Sequence, residues 1–219
     1  MGYIYPSKPV LYLPFDEGRG NKAYDQSEYK NDGTIYGAKW IKGRFGYALK
    51  FDGIDDYVRV EHSTSLNIKG SLTVMAWVKG KTPQPNPYPT LVEKGRAYYG
   101  IWIYGYTAKG RGGVKTDVGN FFKVTEKDIL DGKWHHFVMV YNAEEQTVRF
   151  YVDGEEDGTP LSVEGTLLTT TEWLGVGCSP RDRWFRGIID EARVYNRALT
   201  PLEIKKLYYI GKLAKEYLG

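Results

Sequence analysis

Among 219 residues there is one cysteine, Cys178, so no intrachain disulfide can form and the fold must hold without covalent staples. Its thiol reads as a small core residue. Histidine is nearly as scarce. His62, His135 and His136 are the only three, and the adjacent pair would point to opposite faces of a strand, so no zinc-binding spacing results. No apolar run approaches the roughly 20 residues needed to span a bilayer, which excludes helical membrane insertion. The N-terminal MGYIYPSKPV lacks the basic, apolar and cleavable plan of an export signal, leaving either an intracellular protein or an excised domain. An excess of one charge is missing too. Thirty Lys and Arg oppose 27 Asp and Glu, and a net charge of +3 without a basic cluster argues against nucleic acid as partner. Nucleophile-elbow, Walker and dinucleotide-binding patterns are also absent.

What the chain has is glycine (26), tyrosine (19) and many short alternating segments broken by Gly, Asn, Asp and Pro, the pattern of an all-β sandwich or barrel. The length suits one domain over 1–219. Strands are expected over 10–13, 47–51, 57–60, 72–78, 99–104, 136–141, 147–152, 173–176 and 187–195. Two stretches read as longer loops: KTPQPNPYPT (81–90), whose prolines forbid a central strand, and AKGRGGVK (108–115), glycine-rich and basic. Thr200-Pro201-Leu202-Glu203 supplies an N-cap, a first-turn proline and a capping-box acid, so a short C-terminal helix is expected over 200–219. Leu207, Ile210, Leu213 and Leu218 would form its apolar stripe. In GIIDEARVY, alternation places Ile188, Asp190, Ala192 and Val194 on one face, and a carboxylate on that apolar face must be paired, protonated or bound to a cation.

Six segments in order, LYLPFDEGRG, YDQSEYKNDGTIYG, GYALKFDGIDDYVRV, SLTVMAWVKG, DGKWHHFVMVYNAEEQTVRFYVDG and RGIIDEARVYNRALTPLEIKKLY, together resemble the laminin-G-like, concanavalin-A-type domains found in secreted glycosidases, adhesins and surface proteins. They span residues 11–208. The resemblance implies a two-sheet antiparallel jelly-roll sandwich and an extracellular or surface location. It also implies a structural Ca²⁺ where the N-terminal segment meets the last strand, with Asp16 and Asp190 as ligands and backbone carbonyls completing a shell of six to eight hard oxygens. A bland account stands beside it, in which Asp190 pairs with an arginine or caps a turn. Asp25, Asn31 and Asp32 resemble the family's oxygen-rich turn but fail as an EF-hand, since Tyr36 occupies the terminal acid position. Asp52, Asp55 and Asp56 read as a tight turn.

Catalysis finds little support. Glu126, Asp128 and Asp131 approach the alternating acids of a retaining glucanase but depart from its pattern, and Glu155, Glu156 and Asp157 read as a solvated acidic loop. For binding, alternation puts Tyr99, Ile101 and Ile103 in the core and Tyr98, Trp102 and Tyr104 in an outward aromatic row able to stack on sugars, with Arg149 bonding hydroxyls and Tyr151 beside it. Trp184, in a loop with Arg181, Asp182, Arg183 and Arg186, is a separate exposed-aromatic candidate. The leading expectation is a non-catalytic module for a glycan or glycoprotein surface, with structural calcium. The alternatives are a protein-interaction or virion or cell-surface attachment domain, and a polysaccharide hydrolase or lyase of the same fold.

Overall fold

The computed structural model describes residues 8–180 and 182–218, with side chains of the last helix described as far as Ile210. In chain order the strands are β1 (Leu11–Leu13), β2 (Lys22–Ala23), β3 (Gly33–Tyr36), β4 (Lys39–Lys42), β5 (Tyr47–Asp52), β6 (Tyr57–Val60), β7 (Leu72–Lys81) and β8 (Thr90–Lys94). They continue as β9 (Tyr99–Ile103), β10 (Lys109–Lys115), β11 (Asn120–Asp128), β12 (Asp131–Asn142), β13 (Thr147–Val152) and β14 (Glu155–Glu156). After β15 (Leu161–Ser162), β16 (Leu174–Val176) and β17 (Arg186–Tyr195) comes helix α1 (Pro201–Leu218). Arg181, and the side chains of Leu213 and Leu218, lie outside the described residues.

Among the described residues two antiparallel sheets form. One has nine strands in the order β14-β13-β12-β7-β17-β5-β4, with β1 also on β17 and β15 on β13; the other has eight, in the order β11-β10-β9-β8-β16-β6-β3-β2. The first and last long segments of the chain thus meet, Leu11 opposite Val194. This is a jelly-roll sandwich. Alternation builds its core: Val74, Ala76 and Val78 of β7, Phe137 and Met139 of β12, and Val148, Phe150 and Val152 of β13 face Val92, Ile101, Ile103 and Val176 of the other sheet.

Three expectations change. The segment 109–115 is not a loop but β10, paired with both β9 and β11. Its glycines serve close packing instead of turning: a Cβ on Gly110 would lie 2.9 Å from the ring of Phe137, and one on Gly112 would lie 2.8 Å from the Gly100 carbonyl oxygen. In β17 the simple alternation breaks. Asp190 lies opposite Trp77 and Arg193 opposite Met75, so Glu191 and Ala192 together oppose a single residue, a bulge marked by Glu191 at φ 56°. Ile189, Ala192 and Val194 therefore enter the core, while Asp190 shares the outer face with Trp77. Finally, Asp157 is not solvated. It is buried and accepts the amides of Glu126 (2.6 Å) and Lys127 (3.1 Å), fastening β11 to the β13–β14 edge.

Helix α1 begins as its capping box dictates. The Thr200 amide donates to Glu203 Oε2 (2.9 Å), the Glu203 amide donates to Thr200 Oγ1 (3.3 Å), and Arg197 forks onto the Glu203 carboxylate at 2.7 and 2.9 Å. These bonds hold the Glu203 carboxyl down at about 2, the Arg197 guanidinium being the main cause.

Candidate functional site

The two outer sheet faces are built differently. On the nine-stranded sheet, α1 lies across Met75, Val138, Val140, Tyr151 and Tyr195 and buries Leu199, Ile204 and Leu207 against them. Trp77 stacks on Tyr208 of the helix at 5.5 Å and meets the tilted ring of His136 at 5.2 Å. His136 is buried there, and desolvation lowers its pKa to about 3, so the ring is neutral. Tyr151, expected to touch ligand, is 3% exposed beneath this cover. Arg149 is tied up by Glu156 (2.9 Å) and Glu145 (3.2 Å), an edge clip between strands.

Among the described residues no helix covers the eight-stranded sheet. Its outer face carries Tyr36 stacked on Tyr57 (centroids 4.5 Å, 10°), with Tyr57 next to Trp173 (5.8 Å) and Trp184 (5.7 Å). Farther along, Tyr88 approaches Tyr104 at 6.4 Å. Tyr104 is 40% exposed and Tyr36 42%, while Tyr57, Tyr88, Trp173 and Trp184 are partly exposed. Tyr104 and Trp184, two of the residues singled out from sequence, thus belong to one aromatic face. Trp102 does not floor an open groove: at 1% exposure it lies under the edge of Phe122 (5.2 Å, 77°) and beside Arg111, its register partner on β10. Tyr98 sits beyond the opposite end of β9 from Tyr104, under the Lys115 ammonium (5.0 Å).

The proline-rich loop 81–90 folds onto this face. Asn86 Nδ2 donates to the Trp184 carbonyl (2.7 Å), and the Thr90 amide donates to the Arg183 carbonyl (2.8 Å). A cavity of about 360 Å³ opens beside it, lined by Asn86, Tyr88, Arg96, Asp182, Arg183 and Trp184. Beneath, Glu93 is fully buried, accepting Thr90 Oγ1 (2.8 Å) and the Ala97 amide (2.5 Å), with the Arg183 guanidinium 3.6 Å away. Burial lifts its carboxyl pKa despite that cation. Arg183 is held at φ 103°, a strained conformation for a non-glycine residue. Tyr88 and Arg111 were missed by sequence reasoning, with only the proline-rich loop and the basic character of 108–115 pointing toward them, while Arg183 was noted as a neighbour of Trp184.

The acids expected to bind calcium converge on a third segment. Asp190 Oδ2 accepts the amides of Arg44 (2.8 Å) and Phe45 (3.1 Å), and Asp16 Oδ1 accepts the Tyr47 amide (3.0 Å), so both cap the β4–β5 turn. Asp190 is buried, and its Oδ1 has no hydrogen-bond partner among the described residues. Burial, with repulsion from Glu191 and Asp16, raises its pKa to about 8. An orphaned carboxylate oxygen among mutually repelling acids fits a hard cation in kind. Elsewhere, Asp52, Asp55 and Asp56 bring their oxygens within 4.8 Å of one another. Asp52 and Asp56 spend theirs on the amides of Ile54 and Asp52 in a tight turn, as expected.

His135 closes a clip between Asp153 Oδ2 (2.8 Å) and Asp131 Oδ1 (3.1 Å). The bond to Asp153 is the main cause that raises its pKa above the usual 6.5, against the opposing effect of burial. A histidine shifted upward stabilises the fold fully below its unfolded pKa and loses that contribution as pH rises through the folded one. Stability is therefore expected to fall as pH rises from the usual imidazole value of 6.5 through the higher folded one, by no more than ~1 kcal/mol because Asp131 is partly exposed. Urea titrations of His135→Gln should lack that slope; an equal slope in both proteins would refute the clip.

The sequence model of the concanavalin A-like lectin/glucanases superfamily matches residues 52–205, and the chain belongs to that superfamily. No curated protein matches it significantly in sequence. Among solved structures, it resembles the binding domain of Paraclostridial Mosquitocidal Protein 1 with a TM-score of 0.74 at 16% identity, covering 92% of this chain and 52% of that one. It resembles domain 4 of AbnA, a GH43 extracellular arabinanase from Geobacillus stearothermophilus in complex with arabinotriose, with a TM-score of 0.71 at 20% identity, covering 92% and 98%. A third likeness is to the binding domain of botulinum neurotoxin serotype G, with a TM-score of 0.72 at 14% identity, covering 92% and 51%. The chain thus spans about half the length of the toxin binding domains and nearly all of the arabinanase domain.

Proposed function

We propose that this chain is a non-catalytic glycan-binding module, acting outside the cell or at a surface, whose binding face is the outer side of the eight-stranded sheet. The observation that carries this reading is the row of partly exposed rings, Tyr104, Tyr88, Trp184, Tyr57, Trp173 and Tyr36, on the sheet that α1 leaves uncovered. Aromatic faces take up the apolar C–H side of a sugar ring, and a rigid ring costs little entropy to present. The arabinotriose complex of the arabinanase domain supports the ligand class. Non-catalytic action is supported by the candidate acids having structural work: Asp128 pairs with Lys109 (2.9 Å) and Asp131 with His135. Trp184→Ala is expected to weaken oligosaccharide binding by about tenfold or more in titration calorimetry while leaving the melting temperature within a few degrees. Failure to bind any glycan, together with retention of a protein partner on the same face, would favour an attachment domain instead.

In the same reading a Ca²⁺ ion is held by Asp190 and Asp16 and pins the β4–β5 turn to the two ends of the chain, supported by the orphaned Asp190 Oδ1. Chelation is expected to lower the melting temperature by roughly 5 to 10 °C, and Asp190→Asn to remove that sensitivity. An unchanged melting curve with chelator, and no metal by mass spectrometry, would rule the ion out.

A further inference from the structure

On the proposed binding face, Arg111 differs from the arginines that are paired with carboxylates. Arg149, Arg193 and Arg197 each meet a glutamate, and Arg183 lies near Glu93. The Arg111 guanidinium instead lies over three rings, Phe122 at 4.9 Å, Tyr88 at 5.0 Å and Tyr104 at 5.6 Å, and no carboxylate or other hydrogen-bond acceptor among the described residues meets its N–H donors. Stacking satisfies the face of a guanidinium and leaves its in-plane fork free, the geometry that grips a planar carboxylate or a sulfate in bidentate fashion.

A second cationic group adjoins it. Tyr88 also has the Arg183 guanidinium at 5.8 Å, and Arg183 and the exposed Arg96 line the 360 Å³ cavity that begins at Tyr88. That volume is at the small end of the range for ligand pockets. Two acids stand against these three cations, Glu93, buried beneath the cavity with Arg183 at 3.6 Å, and Asp182 on its lining, which leaves Arg111 without a countercharge.

We propose that the glycan taken by this face is an acidic one, its carboxylate or sulfate seated on the caged Arg111 fork and the adjoining Arg96–Arg183 cavity. This rests on the glycan-binding reading above and narrows it: the rings supply stacking, and the cations select charge.

The test is affinity electrophoresis and calorimetry with the whole chain on three polymers, a neutral arabinan, a polygalacturonate and a dextran sulfate. Wild type is compared with Arg111→Ala, Arg96→Ala and Arg19→Ala, the last an exposed cation outside this face that removes equal charge. Acidic polymers should bind at least tenfold more tightly than the neutral one, weakening with salt, and Arg111→Ala should lose about tenfold of that affinity, the worth of a charge-assisted bond. Arg96→Ala, exposed and unable to disturb folding, should lose part of it, and Arg19→Ala none. Preference for polygalacturonate over dextran sulfate assigns the ligand as a uronate, the reverse as a sulfate. Neutral and acidic polymers binding alike, or Arg19→Ala weakening binding as much as Arg111→Ala and Arg96→Ala, overturns the inference and leaves the glycan reading intact. Silence on all three polymers overturns both.

Discussion

Ile204→Asp is expected to release α1 from the nine-stranded sheet and to cost roughly 3 to 5 kcal/mol, the loss of a buried branched side chain compounded by a carboxylate with no partner. Ile204 is fully buried, in a cluster with Met75, Val138, Val140, Tyr151, Tyr195, Leu199 and Leu207. With the helix detached, Trp77 loses its stack on Tyr208, and a strip of apolar residues across β7, β12 and β13 meets water. Near-ultraviolet circular dichroism should lose the Trp77 signal, and a hydrophobic dye should bind at temperatures where the far-ultraviolet spectrum still reports strands. Ile204→Ala, a cavity without a charge, should cost about 2 to 4 kcal/mol and keep the helix docked. Because the proposed glycan face lies on the other sheet, oligosaccharide affinity should survive Ile204→Asp wherever the sandwich remains folded. A variant with unchanged melting temperature and no dye binding would show that the helix does not seal this face.

The separation of the two faces explains how much of the molecule could be read from its residues. Strands such as 72–78 and 147–152 were legible because each buries alternate residues in one core, and the start of α1 was legible because Thr200 and Glu203 bond each other across one turn. The inward side of β9 followed from the same alternation: Tyr99, Ile101 and Ile103 are core. Its outward side did not, since burial of Trp102 depends on Phe122 of β11, a strand outside those that the alternation predicts. The β10 glycines carried the wrong signal because glycine marks both a turn and a place where side chains leave no room. The bulge at Glu191 has no residue signature at all. It inverts the face of Asp190, and with it the argument about which acid is buried in the core and which caps a turn.

Asp25→Ala should show the other large effect, and it clarifies what distinguishes a structural acid from a ligand. Asp25 is 1% exposed, yet each of its oxygens is fully employed. Oδ1 accepts the amides of Tyr12 (2.8 Å) and Ser27 (2.8 Å); Oδ2 accepts the Ser27 hydroxyl (2.6 Å) and the Asn31 amide (2.8 Å). One carboxylate thereby fixes the loop 25–31 and ties it to β1, the strand that closes the nine-stranded sheet against β17. Truncation leaves three backbone donors without acceptors in a site closed to water, the Ser27 hydroxyl keeping the Val10 carbonyl at 3.3 Å, and at about 1 to 3 kcal/mol each, reduced by relaxation, the expected loss is on the order of 4 kcal/mol. Asp25→Asn keeps one acceptor oxygen and should lose about half as much. Urea denaturation at constant m-value would measure both, and a loss below about 1 kcal/mol for Asp25→Ala would mean that the loop finds other acceptors. A carboxylate so saturated has no lone pair facing a cation. Asp190 differs in that single respect, one oxygen saturated by two amides and the other bare, so chelation should spare the stability that Asp25 supplies and act through Asp190 and Asp16.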